Sequence, residues 1–281
     1  MSSVGSSLLI SFLLDFGIQF VFFVISAILK TERFYDLSGA ITYISCVLVA
    51  MIYRPNDTIN GVINLSVRQL ILGIMVLIWS SRLGIFLFMR VLKHTDKRFD
   101  ELKTNPVKFV IPWVLQVVWI YFTAFPVYLI IGNPASSQAA LGWSDIVGIV
   151  IWIFGFTVEA VADAQKTAFK NKYPKDFITT GLWKYSRYAN YFGEVTLWYG
   201  VWILSAAGIV EGWQWISVIS PLFVTGLLVF GSGVALSEKG ANERYGHRED
   251  FQVYKAKTSK FFLWFPKKDA VINNPIPEEQ A

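Results

Sequence analysis

Glu159, Asp163, Lys166 and Lys170 follow one another at offsets of 4, 3 and 4 residues, a spacing that puts all four on one face of an α-helix. Glu159 falls inside an apolar stretch and Lys170 beyond its end, so the stripe climbs from a buried environment into water. Two carboxylates followed by two ammonium groups suit a ligand with a polar ring held deep and phosphates at the mouth. Internal ion pairs at a solvated helix end would use the same residues. A second cluster follows in Gly181-Leu-Trp-Lys-Tyr-Ser-Arg-Tyr-Ala-Asn-Tyr-Phe-Gly-Glu194. Asn190 could cap a helix starting there, with Glu194 in its first turn against the dipole, and the aromatic rings could form an interfacial belt. Trp183, Tyr185, Tyr188 and Tyr191 crowd Arg187 and Asn190 more densely than either role needs. A third cluster, Ser237-Glu-Lys-Gly-Ala-Asn-Glu-Arg-Tyr-Gly-His247, comes directly after an apolar run. A charged helix leaving a membrane would read the same way.

Other chemistries lack the residues they need. The two histidines, His94 and His247, both sit in charged segments, so neither a histidine-based metal cluster nor a catalytic triad is expected. Cys46 is the one cysteine and lies in an apolar span, where it reads as a small core residue. Gly231-Ser-Gly233 does not complete GxGxxG after a strand, which excludes a Rossmann domain. A nucleotide would have to be held by helices and loops.

The elements that carry these clusters belong in a bilayer. Of 281 residues 54% are hydrophobic and 16% charged, and the mean hydropathy is +0.47, too apolar for an ordinary soluble domain. Apolar windows at 8–29, 38–53, 69–89, 109–131, 146–162, 193–210 and 214–236 are each about long enough to cross some 30 Å of hydrocarbon as a helix. The expected fold is an all-α integral membrane protein with about seven transmembrane helices and a folded C-terminal cap, in which Ser237 to Pro266 alternates charges with aromatic residues. Residues 1–266 read as one domain and 267–281 as a polar, disordered tail. The first window holds Asp15 and lacks a signal peptide's basic flank and cleavage site, so it reads as a retained helix.

Lys and Arg crowd Arg90 to Lys108, Lys166 to Arg187 and the C-terminal region, while Gly132 to Asp145 carries none. The positive-inside rule then places the basic connections and the C-terminus in the cytoplasm. Asn56-Asp-Thr58 and Asn64-Leu-Ser66 match the glycosylation sequon in a connection expected on the far side. The net charge of +5 follows the expected cytoplasmic loops rather than a separate basic domain, so anionic headgroups are the expected partner and nucleic acid is not.

Taken in order, these motifs resemble the membrane-embedded steroid 5-alpha-reductase and sterol-reductase superfamily, and more closely its DUF1295 branch. The resemblance covers about residues 70–266. It rests on Trp79-Ser-Ser-Arg-Leu-Gly84 with Arg90, Arg98-Phe-Asp-Glu101, Asn105-Pro106, Asp163-Ala-Gln-Lys166, Thr180-Gly-Leu-Trp183, Tyr185-Ser-Arg187, Asn190-Tyr-Phe-Gly-Glu194, Ser232-Gly233, Glu238-Lys239, Tyr254-Lys255 and Thr258. It implies an NADPH-dependent oxidoreductase that reduces a C=C bond of a lipid such as a steroid, a sterol or another enone or isoprenoid. It also implies cofactor roles for Asp163, Lys166, Lys170, Trp183, Arg187, Asn190, Glu238 and Tyr245. For charge stabilisation and protonation at the reacting carbons the expectation is Glu194 and Tyr191, as a hydroxyl or protonated carboxyl in a dry pocket. The branch mostly reads Arg-His-Pro-Asn-Tyr where this chain has Arg187-Tyr-Ala-Asn-Tyr191, which loses a titratable group and a rigid turn but is similar to the steroid-reductase form. An S-adenosylmethionine-dependent membrane methyltransferase of the isoprenylcysteine or phospholipid type is the alternative activity, and a non-catalytic lipid-binding protein is the third reading. In a eukaryote the endoplasmic reticulum is the expected membrane.

Overall fold

The computed structural model describes residues 3–53, 58–59, 62–93 and 96–268. The tail from residue 269 and Asn56 of the first sequon lie outside them. The fold is all-α, with helices α1 (Ser3–Leu29), α2 (Tyr35–Ile52), α3 (Val67–Lys93), α4 (Pro106–Gly132), α5 (Trp143–Lys172), α6 (Ala189–Ala206), α7 (Ile219–Thr225), α8 (Val234–Tyr245) and α9 (Glu249–Lys257). Two short strands, β1 (Thr58–Ile59) and β2 (Val62–Ile63), form an antiparallel pair.

Among the described residues six helical runs are long and apolar enough to cross a membrane: Val4–Leu29, Tyr35–Ile52, Val67–Lys93, Pro106–Gly132, Trp143–Lys172 and Gly212–Tyr245. The protein is a multi-pass membrane protein. The remaining expected span, 193–210, is helical as α6 but lies outside this set: it is 18 residues long and diluted by Asn190, Glu194 and Thr196. The run Gly212–Tyr245 is not one uniform helix. It passes from a 3₁₀ stretch (Gly212–Val218) through α7 and a π-helical turn (Gly226–Gly231) into α8.

The helices fall into two compact units, one of residues 1–149 and 201–220, the other of 150–200 and 221–281. In the first, α1 packs on α2 and α4, and α2 packs on α3. The lipid-compatible face of α1 is apolar, with Phe12, Leu13, Phe16, Phe20 and Val21 exposed, whereas its buried side chains are Val4, Ser7, Ser11, Asp15, Gln19 and Ser26. This is the burial pattern of a helix whose solvent is hydrocarbon. The inward polar groups tie helices together: Ser7 Oγ donates to Tyr128 O at 3.0 Å, and Gln19 Nε2 to Thr42 Oγ1 at 2.8 Å. At the start of α4, Asn105 Oδ1 accepts from Val107 N at 3.0 Å and Lys108 N at 3.3 Å, with Pro106 in the first turn where its missing N–H costs nothing. Phe99, Phe109 and Trp113 close that end of the unit against Phe22, Phe23 and Tyr35.

The opposite end of α4 is held by a polar lock. Arg68, on α3, donates from Nε to Asp145 Oδ1 at 2.6 Å and from Nη2 to Oδ2 at 2.9 Å, a bidentate pair of the strong kind. Its Nη1 donates to Ala139 O at 3.1 Å and Gln138 Oε1 at 3.3 Å. Beside it, Gln69 Nε2 donates to Ile130 O at 2.9 Å and Asn133 O at 2.8 Å, satisfying carbonyls that the end of a helix leaves open. The Arg68 and Asp145 side chains are 2% and 1% exposed. Removing one charge therefore strands the other. Arg68→Ala should destabilise the protein by about 3–5 kcal/mol in reversible unfolding in detergent, and Arg68→Met with Asp145→Leu should recover most of that. A loss for Arg68→Ala of about 1 kcal/mol or less, the range of exposed pairs, would contradict the role given to the lock.

Candidate functional site

The second unit is organised by a backbone contact between α5 and α6. A side chain on Gly193 would meet Gly155 O at 2.7 Å and Glu159 Cα at 2.9 Å, and one on Gly155 would meet Gly193 O at 2.7 Å and Leu197 Cα at 2.9 Å. Glycine on both sides lets the two helices touch main chain to main chain. One turn further along, that proximity brings Asn190 Nδ2 to Asp163 Oδ1 at 3.1 Å. Asn190 is the second residue of α6, and its Oδ1 is buried with no hydrogen-bond partner among the described residues. It therefore does not cap the helix, and Glu194 lies in the second turn rather than the first.

The loop into α6 is built by Gly181, whose φ of +61° is left-handed and whose Cα lies against Gln165. Gln165 Oε1 accepts from Leu182 N at 2.9 Å, and Trp183 Nε1 donates to Ala162 O at 3.0 Å. Trp183 is thereby sealed into a small core with Ala162, Ile178 and Ala189. The segment after α9 folds back onto this loop: Arg187 N donates to Ser259 O at 2.9 Å, Trp264 N to Tyr185 O at 3.1 Å and Ser186 Oγ to Phe261 O at 2.7 Å. Tyr254 Oη adds a bond to Trp183 O at 2.7 Å. The C-terminal region is a folded cap through Lys268.

Between α5, this loop, α8 and α9 lies a cleft of about 140 Å³ lined by Lys166, Lys170, Trp183, Arg187, Tyr188, Ser237, Ala241, Arg244, Tyr245 and Tyr254, with Phe177, Ile178 and Phe251. The residues of α8 that face it, Ser237, Ala241, Arg244 and Tyr245, recur at helical spacing. The π-helical turn and the bend at Ser232–Gly233 set where α8 begins. Among the described residues four cations and no carboxylate line the cleft.

The cations are engaged to different degrees. Lys170 Nζ is bonded to Asp176 O, to Tyr245 Oη at 2.8 Å and to Pro174 O at 3.3 Å; all three of its protons hold the 173–176 turn and Tyr245 in place. Lys166 Nζ lies 4.7 Å from the Trp183 ring centroid, a cation–π distance. Arg187 Nη1 donates to both Glu238 oxygens at 2.8 and 2.7 Å, and its Nε is buried with no hydrogen-bond partner among the described residues. Arg244 is exposed at the rim, over Tyr245. Glu238 Oε2 also accepts from Tyr188 Oη at 2.7 Å. Burial, reinforced by that carboxylate, pushes the Tyr188 phenol above its ordinary range, so it remains a neutral donor. Burial does the same to Tyr254.

Of the residues singled out in the sequence, Lys166, Lys170, Trp183, Arg187 and Tyr245 line the cleft, Glu238 is fixed behind it by Arg187, and Asp163 and Asn190 pair with each other. Tyr191 and Glu194 do not line it. Tyr191 Oη is 3.2 Å from Ser237 Oγ and its ring stacks on Tyr188, while Glu194 is buried on α6. Sequence reasoning missed Tyr188 as a ligand of Glu238, and Ser237, Arg244 and Tyr254 as cleft residues; the spacing of Ser237, Ala241 and Arg244 was the available signal. No group of three or more metal-ligating side chains occurs among the described residues.

The family model described as "Protein of unknown function (DUF1295)" matches residues 22–258. The chain belongs to the DUF1295 family. An uncharacterized protein of Schizosaccharomyces pombe is 24% identical over 225 residues, which cover 69% of this chain and 63% of the yeast protein. This DUF1295 protein thus spans under two thirds of that relative's length. No solved structure matches the chain. All the cleft-lining residues fall inside the DUF1295 match.

The glycine contact generates a direct test. Gly193→Ala should push α5 and α6 apart and cost about 1–3 kcal/mol as overpacking against backbone. Gly226→Ala, with nothing within 4 Å of the added carbon, should leave stability within about 0.5 kcal/mol. Equal unfolding midpoints for the two variants would show that the contact does not organise the unit.

Proposed function

We propose that this DUF1295 protein is an NADPH-dependent membrane oxidoreductase that reduces a C=C bond of a lipid. The observation that carries the reading is the cleft in which Lys166, Lys170, Arg187 and Arg244 converge with no carboxylate among the lining residues. Such a concavity favours a ligand with several negative charges. One orphaned buried atom of the lining fits the same ligand: Arg187 Nε is a donor suited to a phosphate oxygen.

In this reading Lys166 and Arg244 hold phosphate at the mouth, Arg187 does so from the wall, and Lys170 acts through Tyr245 and the 173–176 turn rather than by direct contact. Trp183, Tyr188 and Tyr254 supply aromatic walls. NADPH bound there would supply a hydride to an electron-poor carbon of the C=C bond, and the neighbouring carbon would take a proton. The protein's part would be to orient the reacting groups, exclude water and stabilise the developing negative charge, and this reading keeps Tyr191 and Glu194 on α6 as donors although neither lines the cleft. The positive-inside pattern supports a cytoplasm-facing cleft, in the endoplasmic reticulum if the source is eukaryotic.

A methyltransferase would bind S-adenosylmethionine, a cation at its sulfur without phosphates, which makes poor use of four converging cations. Purified protein in detergent should therefore gain thermal stability from NADPH and none from S-adenosylmethionine. Lys166→Ala and Arg244→Ala should each weaken NADPH binding roughly tenfold, about 1.4 kcal/mol. Stabilisation by S-adenosylmethionine alone would replace the reductase reading with the methyltransferase one.

A further inference from the structure

Asp15 lies at the middle of α1, with 12 helical residues before it and 14 after it. At 1.5 Å per residue it is about 18–21 Å from either end, which is midplane depth for a helix that spans. It is 1% exposed, and neither carboxyl oxygen has a hydrogen-bond partner among the described residues. Gln19, Ser7 and Cys46 beside it are served elsewhere, whereas the Tyr128 hydroxyl is, like the carboxyl, buried without a hydrogen-bond partner among the described residues. Gln19, one turn along, donates to Thr42 and accepts from Ser38 Oγ at 3.3 Å; Ser7, two turns back, is bonded to Tyr128 O; and Cys46 Sγ donates to Ser11 O at 3.4 Å. The titratable groups that face Asp15 are Cys46 from α2 and Tyr121 and Tyr128 from α4, and Tyr43 of α2 adjoins Tyr128. No cation is among them.

A carboxylate with no cation facing it and no hydrogen bond to either oxygen cannot remain ionised at that depth, where the charge costs far more than the neutral acid. The same face of α1 carries Ser11 and Ser7, both buried and one turn apart, so the hydroxyls are spaced about 6 Å along the axis, a gap that one water bridges. They lead from the carboxyl toward the N-terminal end of α1, where Ser7 and Val4 pack against Gly132 at the end of α4.

We propose that Asp15 is an intramembrane proton-binding site: a neutral carboxylic acid that exchanges its proton with water along the Ser11–Ser7 face of α1. The ligand is the proton, and nothing in the argument depends on the reductase reading. The seam gives the first unit a proton store at a depth that bulk water does not reach.

The experiment is infrared spectroscopy of the full-length protein in lipid nanodiscs at neutral pH, before and after transfer to D₂O. The difference between wild type and Asp15→Asn should contain the carbonyl stretch of a protonated carboxyl, which shifts on deuteration. Asp15→Glu, which keeps the acid, should show the band at a displaced frequency and serves in place of Asp15→Asn if that variant does not fold. Ser11→Val combined with Ser7→Val should leave the band but slow its deuterium shift by an order of magnitude or more. Wild-type spectra without the band, or spectra unchanged by either Asp15 variant, would overturn the assignment. A deuterium shift as fast in the double valine variant as in wild type would overturn the path.

Discussion

A helix surrounded by hydrocarbon gains close packing but no hydrophobic driving force by turning leucine inward, because lipid tails are as apolar as the protein interior. What it must do is remove polar groups from the lipid and satisfy them internally. That constraint explains the first unit. The inward face of α1 is Ser7, Ser11, Asp15 and Gln19 rather than its leucines and phenylalanines. The bonds that hold it run through Thr42, Ser38 and Tyr128 O, and the end of α4 is fixed by Arg68, Gln69 and Asp145. Apolar packing runs beside them through the middle of the unit, at Val47, Leu72, Val76, Trp79 and Ile120, and on to Phe99, Phe109 and Trp113 at its end.

The second unit obeys the same constraint by another route. Gly155 and Gly193 bring two backbones together, and the Asn190 amide N–H one turn along is satisfied by Asp163, while its Oδ1 has no partner among the described residues. Above that contact the chain turns through Gly181 and is fastened by the returning C-terminal segment. Lys166, near the exposed end of α5, and Arg244, near the end of α8, can remain hydrated while their stems line the cleft.

Much of this is legible in the sequence, for reasons that differ by position. The 4-3-4 spacing of Glu159, Asp163, Lys166 and Lys170 fixes their shared face, and the structure grades them from 2% exposed at Glu159 to open at Lys166. Helix existence followed from apolar run length, but boundaries did not: α5 runs ten residues past its apolar window and α6 begins at Ala189, four before its window, because polar residues continue a helix that hydropathy no longer marks. Lys170 was legible as a cation near the mouth, not as a donor to Pro174 O, Asp176 O and Tyr245, since those partners arrive from a turn and from a helix 75 residues away. Asp15 was legible only as a charge within an apolar stretch; its lack of partners depends on what α2 and α4 place beside it.

Arg187 shows how the cleft divides its charge. Glu238 accepts two bonds from Nη1 and one from the neutral Tyr188 phenol, and Lys255 stands 3.6 Å from its other oxygen. A carboxylate so served is expensive to displace, because freeing Arg187 would strand Glu238 at 16% exposure. On the proposed reading an incoming anion would leave that pair intact and meet Arg187 through the remaining donors, Nε among them. The pair fixes the guanidinium plane before any ligand arrives, which lowers the entropy cost of using it. Replacing Glu238 with glutamine would weaken the hold on Arg187 while adding net positive charge to the wall, so orientation and charge would act on anion affinity in opposite directions. The sign of the change then reports which of the two the cleft relies on.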